Sequence, residues 1–201
     1  MAEPVERVPE PSEAMALARE AIAGDRVAIS NLLRLLAPRL SRVVRAVLGA
    51  QHPDVDDAFQ LSLIGFVQAL PAFRGECDPA GYATTIAVRT ALATRKRSHA
   101  QRSRQEATAA SALAEDVPSP RDETESSRRK EILRDLLAEL SPEQGETLAM
   151  RVVLGWSLAE IAEHTSAPVN TVRSRLRLAK EALRRRIESD ASLLEMLEVP
   201  S

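Results

Sequence analysis

The stretch from Ser157 to Leu183, SLAEIAEHTSAPVNTVRSRLRLAKEAL, constrains the fold more than any other. Ser157 with Glu160 three residues later is the pattern of a capping box, and it opens a short helix. His164 to Ala167 are expected to form the turn. Pro168 fits the first position of a second helix, where its missing N–H costs nothing. Val169, Val172, Leu176, Ala179 and Leu183 then recur at spacings of 3, 4, 3 and 4, which draws one apolar stripe. The opposite face carries Asn170, Thr171, Arg173, Ser174, Arg175, Arg177 and Lys180. A helix that buries one side and offers amide, hydroxyl and guanidinium groups near its N-terminal end can read a DNA major groove. The plainer alternative is a helical hairpin with a solvated basic face. The capped first helix and the tight turn weigh against it.

Composition points to an all-α chain. Aromatic residues make up 2% and glycines number 7, whereas Ala and Leu dominate; strands would want β-branched and aromatic side chains. The 201 residues can hold two small helical domains joined by a flexible linker, each with a modest core. Formal net charge is -2, so overall charge does not announce a nucleic-acid binder, but its distribution is uneven. Between Arg89 and Arg104 lie six basic residues and no acidic one, and between Asn170 and Arg186 lie seven against Glu181 alone. Two basic patches in a neutral chain suggest DNA binding that is weak alone and needs a partner.

Other chemistry finds little footing. Cys77 is the only cysteine, so neither an internal disulfide nor a zinc set is available. His52, His99 and His164 have no ligand spacing, and no nucleophile-elbow or phosphate-loop motif occurs. The expectation is no catalytic site, no metal and no cofactor. The acidic, Pro-rich start MAEPVERVPEPSE is unlike a secretory signal, and the most apolar run, Leu61 to Leu70, is far short of a membrane span. A cytoplasmic protein without membrane insertion is expected.

Residues 1–12 are expected to be disordered, with helical periodicity starting near Glu13. Asp25 can cap a long helix carrying Val27, Leu32, Leu33, Leu36, Leu40, Val44 and Val47, kinked at Pro38 and closed by Gly49. Asp54 is a plausible cap for a helix ending near Leu70. Asp78 and Pro79 open another that is expected to run to about His99. Periodicity dissolves between about Gln105 and Ser127 and resumes at Arg128. Ser141-Pro142-Glu143-Gln144 suggests a second capping box.

The residues at this point become recognisable. LAELSPEQGETLAMRVVLGWSLAEIAEHTSAPVNTVRSRLRLAKEALRR resembles the C-terminal DNA-binding domain of bacterial RNA polymerase sigma factors of the extracytoplasmic-function class. The resemblance rests on Leu140-Ser141-Pro142, Glu160-Ile161-Ala162, Thr171-Val172-Arg173-Ser174-Arg175-Leu176 and Ala179. In the other half, DVDDAFQLSLIGFVQALPAFRG, from Asp54 to Gly75, resembles the sigma segment that grips the polymerase clamp, with Leu70-Pro71-Ala72-Phe73-Arg74-Gly75 as its ending. Tyr82 to Arg97 falls where the family melts and reads the −10 element. The chain departs from the family at Leu61, usually acidic, at Tyr82, in a region that usually has a Trp, and at Arg89, near the usual position of an Asn.

The resemblance implies a region 2 domain over residues 13–103, binding core polymerase and the −10 element. A flexible linker over 104–127 would join it to a region 4 helix-turn-helix domain over 128–189, binding the −35 element, with a tail over 190–201. It implies −35 contacts from Asn170, Thr171, Arg173, Ser174, Arg175, Arg177 and Lys180. For the −10 element it implies Phe73 and Tyr82 as stacking faces with Arg74, Arg89, Arg95, Lys96 and Arg97 as cations; the plainer alternatives are core packing for Phe73 and Tyr82 and a solvated helix end for Arg95-Lys96-Arg97. The polymerase would be met by Asp54, Asp56, Asp57, Gln60 and Leu61. Implied partners are core RNA polymerase, promoter DNA and an anti-sigma factor. Two rival readings are an autonomous helix-turn-helix regulator and a degenerate sigma-like protein that sequesters an anti-sigma factor. The first needs a receiver or ligand domain, and residues 1–127 lack an alternating βα pattern. About 23 linker residues reach at most ~75–80 Å extended and span ~25–30 Å as a coil. The elements lie roughly 50 Å apart, so the free domains could collapse on each other.

Overall fold

The computed structural model describes residues 11–111, 125–191 and 193, and every regular element among them is helical. The N-terminal half comprises α1 (Pro11–Ile22), α2 (Arg26–Leu48), α3 (Val55–Ala69), a 3-10 turn (Leu70–Ala72) and the long α4 (Pro79–Ser111). The C-terminal half comprises α5 (Glu125–Glu139), α6 (Pro142–Val152), α7 (Leu158–Thr165) and α8 (Val169–Glu188). Of residues 1–12, expected to be disordered, 1–10 lie outside the described residues and 11 and 12 open α1; of the linker expected over 104–127, 112–124 lie outside them, whereas its two ends belong to α4 and α5, and most of the C-terminal tail is also outside.

Several local signals act as read. Asp25 accepts from the backbone N–H of Val27 at 2.7 Å and of Ala28 at 3.3 Å, satisfying two orphan donors of α2. Gly49, at φ 107°, ends that helix. Asp78 accepts from Gly81 N–H at 3.2 Å at the start of α4. Others do not. Helix α2 is continuous through Pro38; the ring sits on the exposed side, where water can serve the carbonyl left without a donor. Val27, placed on the apolar stripe, is exposed, because Ala28 and Leu32 define the buried face. Asp54 makes no cap bond and instead accepts from Ser98 Oγ at 2.8 Å, tying the start of α3 to α4. Ser141 stands at the N-cap of α6 without a side-chain bond, so the second capping box is absent; Pro142 has already removed one orphan donor.

Helix α4 extends to Ser111, well past His99. The sequence from Ala100 to Ser111 holds Ala, Gln, Arg and Glu with no Gly or Pro, so propensity carries the helix where apolar periodicity stops. Helix α4 is also the shared wall of the molecule. It packs against α1, α2 and α3, and also against α5, α6 and α7. Ala80, Ala83, Ala87, Val88 and Ala91 are buried along it, and the small side chains let neighbouring helices approach closely. One continuous apolar core joins Leu36, Phe66 and Val88 to Leu148, Met150, Ile161 and Val172.

Candidate nucleic-acid and polymerase interfaces

The helix-turn-helix is built from α7 and α8. The Ser157–Glu160 capping box is complete: Ser157 Oγ accepts from Glu160 N–H at 3.2 Å and Glu160 Oε2 accepts from Ser157 N–H at 2.7 Å. These bonds hold the Glu160 carboxyl below its usual range. His164 and Thr165 still belong to α7, so the turn is tighter than expected and runs from Ser166 to Pro168. Ser166 takes the left-handed conformation at φ 51°, and Ala167 N–H donates to Ala162 O at 3.0 Å, which closes the helix end. Pro168 precedes α8 as its N-cap residue rather than filling the first helical position.

Helix α8 buries Val172, Leu176 and Ala179. Val169, expected on that stripe, is exposed at the helix start. Asn170, Arg173, Ser174, Arg177 and Lys180 are exposed, and Thr171 and Arg175 are half-buried at the edge of the same face. Arg173 Nη1 donates to Asn170 Oδ1 at 2.6 Å, and Arg177 Nη1 to Glu181 Oε1 at 2.7 Å. Both bonds stay within one helix, so the side chains are held upright without being tied to another element.

The residues expected at the −10 element are divided. Arg74, Lys96 and Arg97 are exposed. Phe73 is buried, its ring 5.1 Å from that of half-buried Tyr82, which also meets Phe66 edge-on at 6.4 Å. The pair belongs to the aromatic part of the core, so in this structure Phe73 presents no open stacking face. Arg89 is exposed but Nε donates to Glu146 Oε1 of α6 at 2.8 Å. Arg95 is 0% exposed and is held by α5.

The polymerase-facing candidates share an outward face of α3. Asp56, Asp57, Gln60 and Leu61 are exposed, and Asp54 is half-buried. Ile64, which sequence reasoning passed over, extends this face and is 51% exposed. Its spacing of three from Leu61 was the available signal.

A sigma-70 region 2 model matches residues 32–101, and a sigma-70 region 4 model matches residues 130–183. The chain belongs to the sigma-70 family. The ECF RNA polymerase sigma-E factor of Haemophilus influenzae is 28% identical over 182 residues, covering 86% of this chain and 94% of that one. This chain is accordingly a sigma factor of the extracytoplasmic-function class. The structure of CnrH, solved in complex with the cytosolic domain of CnrY, has a similar fold at a TM-score of 0.51 and 18% identity, covering 89% of this chain and 99% of CnrH. Among the described residues no helix of this sigma factor is long and apolar enough to cross a membrane.

What sequence reasoning missed is a set of acids in the region 4 half that meet region 2. Glu131, Asp135 and Glu146 were not singled out, and each faces an arginine of α4. Burial pushes the Glu131 carboxyl up, but hydrogen bonds and charge from Arg95 and Arg134 outweigh it and hold the group below its usual range.

Proposed function

We propose that this sigma factor docks on core RNA polymerase through the outward face of α3 and places two basic surfaces on promoter DNA. Asp56, Asp57, Gln60, Leu61 and Ile64 would form the polymerase contact, with Asp54 at its edge. Asn170, Thr171, Arg173, Ser174, Arg175, Arg177 and Lys180 would meet the −35 element, with α8 in the major groove. Arg74, Arg89, Arg95, Lys96 and Arg97 would track the backbone of the opened −10 strand. Tyr82 would offer one stacking edge, and Phe73 would support it from behind.

The observation that carries this reading is the exposed polar N-terminal half of α8 on a rigidly capped turn, in a chain whose other half matches region 2. Such a protein acts in the bacterial cytoplasm, where polymerase and promoter are found, and performs no catalysis of its own. From the family we also infer an anti-sigma factor as a regulating partner.

Run-off transcription with purified core polymerase and genomic promoter fragments tests the reading. The free chain should bind promoter duplex poorly, and adding core should give a salt-sensitive open complex. Tight sequence-specific binding by the chain alone at physiological salt would favour an autonomous regulator instead.

A further inference from the structure

Two arginines assigned above to the −10 strand are already occupied, and by carboxylates of the other half of the chain. Arg95 lies fully buried where α4 crosses the end of α2. Its Nε donates to Asp135 Oδ1 at 3.0 Å, its Nη2 to Glu131 Oε2 at 2.8 Å and to Glu131 O at 3.1 Å, and its Nη1 to Leu48 O. Arg134 of α5 donates to Ala46 O at 3.2 Å and to Glu131 Oε1 at 2.6 Å. Two guanidinium groups, one from each half, thus cap the last carbonyls of α2, where orphan acceptors and the negative dipole end favour cations. Gly49 makes room for this: a Cβ there would fall 2.9 Å from Glu131 Oε1. Further along α4, Arg89 meets Glu146 at 2.8 Å.

An uncharged contact completes the closure. His164 of α7 stacks on Trp156 with ring centroids 4.7 Å apart and seats directly on Gly81 of α4. A Cβ at Gly81 would come within 2.0 Å of His164 Cε1.

We propose that Glu131, Asp135 and Glu146 stand in for promoter phosphates, forming an ion-paired latch that closes the region 4 half over α4. A carboxylate oxygen on a guanidinium N–H makes the same charge-assisted hydrogen bond that a phosphate oxygen would make. Closure and DNA therefore compete for Arg89 and Arg95, and separating the halves unmasks both groups at once. The inference rests on the sigma-factor reading, because DNA is the competitor it names.

The test uses the full free chain, small-angle X-ray scattering and a fluorescein-labelled oligothymidylate. One variant is Glu131→Gln with Asp135→Asn, which removes latch charge. The other is Gly81→Ala, which leaves every charge in place, inserts a methyl group against His164, and puts a better helix former in α4. Glu13→Gln with Glu20→Gln, at exposed positions of α1, controls for the change in net charge. Both latch variants should scatter as a larger particle with unchanged helical circular dichroism. Both should bind the oligonucleotide about tenfold more tightly or better if the open form is a tenth or less of the parent population. The control should do neither. If both variants stay as compact as the parent, or if they expand without tighter binding, the latch is overturned. If the charge variant does not fold, Gly81→Ala alone decides. Loss of run-off transcription by the parent would sink the sigma reading while leaving the scattering comparison intact, so the two failures are distinguishable.

Discussion

Two basic helices of this chain have opposite environments. Helix α8 presents Arg173 and Arg177 to solvent, each bonded only within its own helix. Helix α4 commits Arg89 and Arg95 to acids that lie 57 and 36 or more residues away in sequence. The first arrangement is a surface ready for a ligand. The second is a surface already liganded by the protein itself. Equal charge density along a helix therefore says little about availability, which depends on what the rest of the chain brings to it.

The sharpest way to break this comparison is to remove one arginine from each helix. Arg95→Ala leaves Glu131, Asp135 and the Leu48 carbonyl without their shared donor. Losing one partner of a buried ion pair costs about 3–5 kcal/mol. Glu131 and Asp135 side chains keep 41% and 28% exposure and can rehydrate, so about 2–3 kcal/mol is expected by chemical denaturation. Arg173→Ala should change stability by less than about 0.5 kcal/mol, as for an ordinary surface position. Equal losses from the two variants would erase the distinction between the helices.

The next effect is on DNA. Arg173→Ala with Arg175→Ala should weaken −35 recognition by ~1–3 kcal/mol for each arginine that makes a bidentate base contact. If the two touch only phosphates, the loss should be uniform across promoter sequences. Transcription from promoter variants separates these outcomes, and full activity of the double variant would remove α8 from the interface.

Acidity sharpens the comparison from the other side. His164 is held below its ordinary pKa first by burial and then by Arg39, against the opposing charges of Glu163, Asp78 and Glu160. Its Nδ1 is buried without a hydrogen-bond partner. His52, beside the latch, is likewise lowered by burial and by Arg95 and Arg102, against Asp54 and Glu131. The folded chain therefore favours neutral imidazoles at both positions, and at His164, seated on Gly81 of the other half, that preference is tied to closure. Their contribution is complete above about pH 6.5 and fades as pH falls through that value toward the lowered one. Glu131, held low, keeps its charge across this window. Thermal midpoint and scattering radius should fall and rise, respectively, on acidification, with His164→Gln flattening the profile. A profile unchanged by that substitution would place the pH dependence elsewhere.

The smallest effect concerns α3. Leu61 is 43% exposed, so Leu61→Glu should alter stability by no more than about 0.5 kcal/mol while shifting the salt dependence of core binding. Charge reversal at Asp56 and Asp57 should reduce polymerase pull-down with little change in melting, since exposed helix-start acids contribute only ~0.3–1 kcal/mol each. Unchanged pull-down by the double reversal would remove this face from the docking surface.

What is legible in the amino-acid sequence follows the same division. The all-α class, the Ser157–Glu160 box and the apolar stripe through Val172, Leu176 and Ala179 are local features with a period of three or four residues. Such features are visible in one dimension. The burial of Arg95 is set by Leu48, Glu131 and Asp135, which have no spacing that sequence patterns can report. The exposure of Val169 and the continuation of α4 beyond His99 are also tertiary or propensity effects that apolar periodicity does not register. Phe73 was placed among the DNA-facing groups by family position, whereas its neighbours Phe66 and Tyr82 place it inside.

The continuous core has a calorimetric consequence. Because Leu148, Ile161 and Val172 share apolar contacts with the N-terminal half through α4, the closed chain should melt as one cooperative unit. Once its halves part, the same polypeptide becomes two small domains, each burying a smaller fraction of its surface. Two overlapping heat-absorption peaks at lower temperature would then replace one. Free sigma factor would be the protease-resistant species, and the opened chain, away from polymerase, the short-lived one.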